Sequence, residues 1–239
     1  MNVRVVPLLA ALVPFFAVHA TYLVAASYDL VDWCIPYIDS CTSISATGRK
    51  PPASYLFRAT MLPSAVFMAA YWWFSHAWLR AERRAAKLPH SRAGTWMLSL
   101  GLLACVGLVM YVTVLGEAGD LWARQRRAGT VLFFSFTFLS QLLLVHQLRQ
   151  LREQLPTVQG PAHGMWFLCI LLLSLGILTV LIDAWDSDYY ETIEDAFEWV
   201  LTLLLQTNFL LGYVVSRRAR WGMEISRPGA VPGSPSAPL

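Results

Sequence analysis

Apolar residues in this chain fall into six long blocks, approximately 5–26, 54–79, 95–115, 129–148, 164–182 and 195–215. A bilayer hydrocarbon core of about 30 Å is crossed by a helix of about 20 apolar residues. The pattern therefore predicts an all-α bundle of six transmembrane helices within a domain over 1–221. The polar connections are short except the first, 27–53. Val18-His19-Ala20 also fits the end of a cleavable signal peptide. The apolar run continues through Tyr22-Leu23-Val24-Ala25-Ala26, which favours a retained span. Residues 222–239 carry Pro228, Pro232, Pro235 and Pro238 among Gly and Ser, a composition expected to be disordered.

Composition agrees with this reading. The chain is 56% hydrophobic and only 14% charged, against about 25% charged in soluble domains. A water-soluble enzyme or nucleic-acid-binding module is excluded. No phosphate-binding glycine loop and no paired Cys/His metal spacing occurs, so neither cofactor nor metal is expected. Charge distribution predicts topology, because Lys and Arg are retained on the cytoplasmic side. Twelve of the eighteen basic residues fall in the amino terminus, 80–94, 149–163 and the tail. Twelve of the fifteen acidic residues fall on the opposite side. Both termini are thus expected in the cytoplasm. Trp33, Trp122, Trp185 and Trp199 should lie near the outer interface, and Trp73, Trp78, Trp96, Trp166 and Trp221 near the inner one.

Ionisable residues inside a span are costly and face the bundle interior or a water-filled cavity. Glu191, Asp195, Glu198, Thr202 and Gln206 are spaced 4, 3, 4 and 4, which places them on one helical face. That stripe should face other helices, with Glu198 its deepest charge. Arg58 lies at similar depth in the second span, one turn below Ser54. A guanidinium suits a carboxylate or a phosphate, so an Arg58–Glu198 pair is expected. His19, Glu117, Arg127 and Asp183 complete an outer-side set of polar groups from all six spans. Ser43 or Ser45 near His19 would make a hydrolase or acyltransferase arrangement. A structural ion pair and a helix–helix hydrogen bond are the competing readings for Arg58–Glu198 and His19. Cys34 and Cys41 share one outer loop and are a candidate disulfide. Cys105 and Cys169 lie inside apolar runs, as packing residues do.

One polar stretch carries a resemblance. Cys34-Ile35-Pro36-Tyr37-Ile38, Ser43-Ile44-Ser45-Ala46-Thr47-Gly48, Pro51-Pro52 and Phe57-Arg58 resemble the first extracytoplasmic loop of the Frag/DRAM/Sfk family. Its pattern is close to P-x-I-S-x-x-G-x-x-P-P leading into an aromatic-Arg pair. Leu62-Pro63-Ser64 and Ala69-Ala70-Tyr71-Trp72 are similar to the second span of the branch that remodels GPI lipids. Phe197-Glu198-Trp199 resembles the hydrophobic-Glu-aromatic element of the last span. The chain departs from the family in an insert near 39–42, which brings Cys41, and in Arg127, where relatives tend to carry His. The resemblance implies a six-span membrane protein acting in GPI-anchor remodelling, lysosomal autophagy or plasma-membrane lipid regulation. The fungal protein that exchanges ceramide into GPI anchors has an amino-terminal half in the same group.

These readings converge on a protein that binds or remodels a membrane lipid from the extracytoplasmic leaflet. If it is an enzyme, acyl transfer or lipid exchange is expected. Glu198 and His19 are the candidate catalytic residues. Arg58, Ser54, Asp195, Asp183 and Arg127 are the candidate headgroup contacts. Ser45, Gly48, Pro51 and Pro52 would shape the loop above them. The alternative is a non-catalytic scaffold or regulator that recruits membrane proteins through its basic cytoplasmic loops. Those loops also suit anionic lipid headgroups. The expected location is the plasma membrane, or the inner membrane in a bacterium, with Golgi, ER or lysosomal membranes as alternatives. A transporter would also place charges inside spans, but no repeat or half-helix pair favours one.

Overall fold

A computed structural model describes residues 5–219. Its elements are α1 (Val5–Ser27), α2 (Pro36–Asp39), α3 (Ile44–Thr47), α4 (Ala53–Ala85), α5 (Arg92–Thr113), α6 (Asp120–Gln150), a 3-10 turn at Pro156–Val158, α7 (Gln159–Trp185) and α8 (Ser187–Arg218). No strand occurs among the described residues. The six long helices coincide with the six apolar blocks, and α2 and α3 are single turns within the first loop. Helices α4, α6 and α8 extend well beyond the apolar blocks, because helical hydrogen bonds continue through polar residues that still favour the helix. The tail expected to be disordered lies outside the described residues.

Five of these helices are long and apolar enough to cross a membrane: α1, α5, α6, α7 with its preceding turn, and α8. Helix α4 is 33 residues long but carries Arg58, Pro63, Ser64, Ser75 and His76 among its Trp and Tyr residues. It falls short of that apolarity, where six equivalent spans were expected. Packing explains how its polar residues are accommodated. Helix α4 lies against both α1 and α5, and Ser64 and Ser75 are fully buried while their hydroxyls donate to the Thr60 and Tyr71 carbonyls.

The helix order around the bundle follows from these contacts. Helix α5 packs most extensively on α6, α7 packs on α8, and α8 returns against α1. Helix α6 meets α7 only in part and scarcely touches α8. The bundle is consequently open along the line where α6, α7 and α8 converge. Two glycines let α5 and α6 approach closely: a Cβ on Gly129 would fall 2.7 Å from the Gly107 carbonyl oxygen. Tyr71, Trp72 and Phe209 form the aromatic centre, with Phe209 at 5.1 and 5.5 Å from the other two rings.

Trp33 is exposed in the first loop, and Trp73, Trp96, Trp166 and Trp185 are exposed on helix surfaces; Trp221 lies outside the described residues. Trp199 is different. It is 1% exposed and packs within the core.

Candidate functional site

The first loop is fastened to the bundle at several points. The Tyr22 hydroxyl lies 2.8 Å from both the Cys34 amide and the Cys34 carbonyl oxygen, accepting from one and donating to the other. Cys34 and Cys41 are disulfide-bonded. The Trp199 indole N–H donates to the Thr42 carbonyl at 2.8 Å, and the Ala196 amide donates to the Ser40 hydroxyl at 3.1 Å. Ser43 caps α3 by accepting from the Ala46 amide at 3.0 Å. Gly48 then passes so close to Phe57 and Leu115 that a Cβ would meet each at 2.9 Å. Pro51-Pro52, joined by a cis bond, leads directly into α4.

Beneath this loop lies a cleft of about 660 Å³. Ser43, Ser45 and Arg49 form its roof, Thr130 lies on the α6 wall, and Glu194, Asp195 and Glu198 line the α8 wall. Arg49 donates to the Ser45 hydroxyl at 3.1 Å, and the Ser43 and Ser45 hydroxyls are also 3.1 Å apart. The Glu198 carboxylate lies near the Ile44 backbone and in the field of Asp195 and Arg49. Three carboxylates therefore face one guanidinium, which makes the cleft acid-rich.

The cleft opens into an apolar groove of about 360 Å³. Phe138, Leu172, Gly176, Ile177, Leu181 and Leu205 line the part that runs along α6, α7 and α8. Phe134, Ser135, Val180 and Leu201 belong to both volumes. One continuous depression thus begins polar, at the start of α8, and becomes wholly hydrocarbon-lined further along that helix.

The expected site residues separate into three groups. Glu198, Asp195 and Ser45 line the cleft. Asp183 and Arg127 do not line it: Asp183 is one turn beyond Thr179 and Val180 on α7, and Arg127 one turn before Thr130 and Val131 on α6. Asp183 is close enough to act electrostatically on Tyr190 and Glu194. Arg58, Ser54 and His19 lie elsewhere. Arg58 donates to the Leu115 carbonyl and pairs with Glu117 at 3.8 Å, so the expected Arg58–Glu198 pair does not form. The reason is neighbour order, since α4 lies beside α5. Ser54 is buried in the first turn of α4, its amide donating to the Lys50 carbonyl at 3.0 Å.

His19 is engaged in the loop clamp. Its Nδ1 lies 2.7 Å from the Phe15 carbonyl, its Nε2 lies 2.9 Å from the Tyr37 hydroxyl, and its ring packs against Trp199 at 5.6 Å. Burial pushes the Tyr37 phenol above its ordinary range. Both ring nitrogens of His19 are occupied, and the serines bond to each other, so a Ser–His arrangement is not assembled. Arg49, Tyr190, Glu194 and Thr130 were not among the expected site residues. Arg49 carried one usable signal, its place directly after the Gly48 turn of the loop signature.

No curated protein and no solved structure matches this chain. The family model described as the Frag1/DRAM/Sfk1/Cwh43P N-terminal domain matches residues 2–214, and the chain belongs to that family of multi-pass membrane proteins.

Proposed function

We propose that this protein binds an amphiphilic lipid from the extracytoplasmic leaflet, with the headgroup in the α3–α6–α8 cleft and an acyl chain along the α6–α7–α8 groove. The observation that carries the reading is the continuity of the two volumes through Phe134, Ser135, Val180 and Leu201. Ligand sites of this size are mostly apolar, with a few convergent polar groups that set orientation. The acid-rich lining narrows the headgroup class. Glu194, Asp195 and Glu198 suit an amine or several hydroxyls, and Arg49 suits one phosphate. A zwitterionic or glycosylated phospholipid, including a GPI-like one, fits better than a purely anionic one. In this reading all six long helices cross the membrane with both termini cytoplasmic. Helix α4 crosses because it packs along two helices that are themselves apolar enough to span.

Binding is the supported step. A remodelling reaction would draw on Glu198, which lines the cleft together with the roof serines, and on no Ser–His pair. Lipids co-purifying with the full-length protein in mild detergent, identified by mass spectrometry, test the proposal. Wild type should retain a zwitterionic or glycosylated phospholipid, and Arg49→Gln and Glu198→Gln should each deplete it. Equal retention by all three proteins would sink the headgroup assignment.

A further inference from the structure

A second polar cavity lies at the opposite end of the bundle and has no part in the cleft above. It is about 260 Å³ and is built from the last turns of α4, the α4–α5 connection, the start of α5 and one residue of α6. His76, Arg80, Arg83 and Arg84 follow one another at helical spacing on a single face of α4. His90 and Ser91 face them from the connection, and Gln147 from α6. No carboxylate lines this cavity. Glu82 is the nearest acid in sequence, and its carboxylate accepts from the Trp78 indole at 2.9 Å. Among the described residues, Arg80, Arg83 and Arg84 have no ion-pair partner.

The cavity is also braced. The Arg83 side chain donates to the Pro89 carbonyl at 3.1 Å and to the Gln150 amide oxygen at 2.8 Å, which ties α4 to its own turn and to α6. The Gln147 amide donates to the Ser91 hydroxyl at 2.7 Å. His76 Nδ1 donates to the Gly94 carbonyl at 2.9 Å. Ser91 caps a 22-residue helix, so the positive end of that helix borders the same space. A fixed pocket holding several unpaired cations and no acid is built to receive an anion.

We propose that this cavity is a phosphate-monoester site, with Arg80 and Arg84 supplying the guanidinium contacts and Arg83 holding the frame. Guanidinium forks match phosphate oxygens bidentately. The phosphate arrives either as a lipid headgroup from the adjacent leaflet or as free phosphate. Native mass spectrometry of the full-length protein released from phosphatidylcholine nanodiscs separates these sources. The discs are doped with phosphatidic acid, a monoester, or with phosphatidylserine, an anionic diester. Wild type should retain phosphatidic acid preferentially, and the Arg80→Gln/Arg84→Gln variant should lose that retention by about tenfold. Lys87→Gln/Arg152→Gln removes the same charge outside the cavity and should retain it. Arg80→Lys/Arg84→Lys keeps the charge without the fork and should fall between. Displacement of phosphatidic acid by excess inorganic phosphate identifies free phosphate as a ligand of the same pocket, and resistance to it identifies the lipid. Equal loss in the Lys87/Arg152 control, or no loss in the Arg80/Arg84 variant, would overturn the proposal. Glu198→Gln should leave this signal unchanged, so failure here is distinguishable from failure of the outer-leaflet site.

Discussion

Trp199 on α8 donates its indole N–H to the Thr42 carbonyl at 2.8 Å across 157 positions of sequence. The bond is buried, and the ring fills the space between His19, Tyr22 and Tyr37, at 5.6, 6.0 and 5.4 Å. This contact sets where the first loop rests, and so where Arg49 and Ser45 hang over Glu198. Trp199→Phe should retain most of the packing and lose the hydrogen bond, costing about 1 kcal/mol. Trp199→Ala should cost about 3–5 kcal/mol. Thermal unfolding of the detergent-solubilised protein measures both, and equal midpoints for the two variants would contradict the clamp.

Arg58 in α4 and Arg49 in the first loop are predicted to behave differently. Arg58 and Glu117 are 34% and 55% exposed, so their ion pair contributes at most about 1 kcal/mol. Arg58→Ala should lower the unfolding midpoint slightly and leave lipid retention intact. Arg49→Gln should do the reverse. Lipid analysis and melting curves on the same two preparations decide the matter. A lipid-free Arg58→Ala protein that melts normally would restore Arg58 to the site.

The groove can be plugged without disturbing the fold. A Cβ on Gly176 meets nothing within 4 Å, and Gly176 lines the apolar groove. Gly176→Phe should fold normally and reduce co-purified lipid several-fold. Gly129→Leu is the contrasting case, because its side chain would strike the backbone of α5. It should express poorly or aggregate, as size-exclusion profiles would show. Unchanged lipid content in a well-folded Gly176→Phe protein would place the acyl chain elsewhere.

Cys34 and Cys41 are bonded, whereas Cys105 and Cys169 are buried free thiols. Maleimide-polyethylene glycol should modify none of the four in the native protein, and two more per denatured chain after reduction than before it. Loss of the bond by Cys34→Ser should cost about 2 kcal/mol, the chain-entropy value for a short loop. Full labelling of denatured protein without reductant would show the thiols to be free.

The proposed orientation is tested separately from the site. A cysteine placed at Ala118, in the α5–α6 turn, should react with a membrane-impermeant reagent added outside. One placed at Ala86, after α4, should react only after permeabilisation. The opposite pattern would invert the bundle and move the acid-rich cleft to the cytoplasmic leaflet.

The sequence by itself determined the helical class, the positions of the six long helices, the clustering of polar groups at one end and the disulfide candidate. All of these depend on local quantities: hydropathy over about 20 residues, helical spacing and the chemistry of one loop. Hydropathy and helical spacing placed Glu198 and Asp195 on one face at the polar end of the last helix, where both line the cleft. Neither carries information on which helix stands beside which. Arg58 and Glu198 were expected at similar depths, yet α4 borders α5 and α8 borders α1 and α7, so each found different neighbours. His19 likewise had a catalytic residue type at a fitting depth, but Tyr37 and the Phe15 carbonyl occupy its ring. The open seam along α6, α7 and α8, which joins a polar cleft to an apolar groove, arises only when helices distant in sequence pack unevenly. Tertiary structure alone decided that seam, and with it the choice of Arg49 over Arg58 as the cation facing the carboxylates.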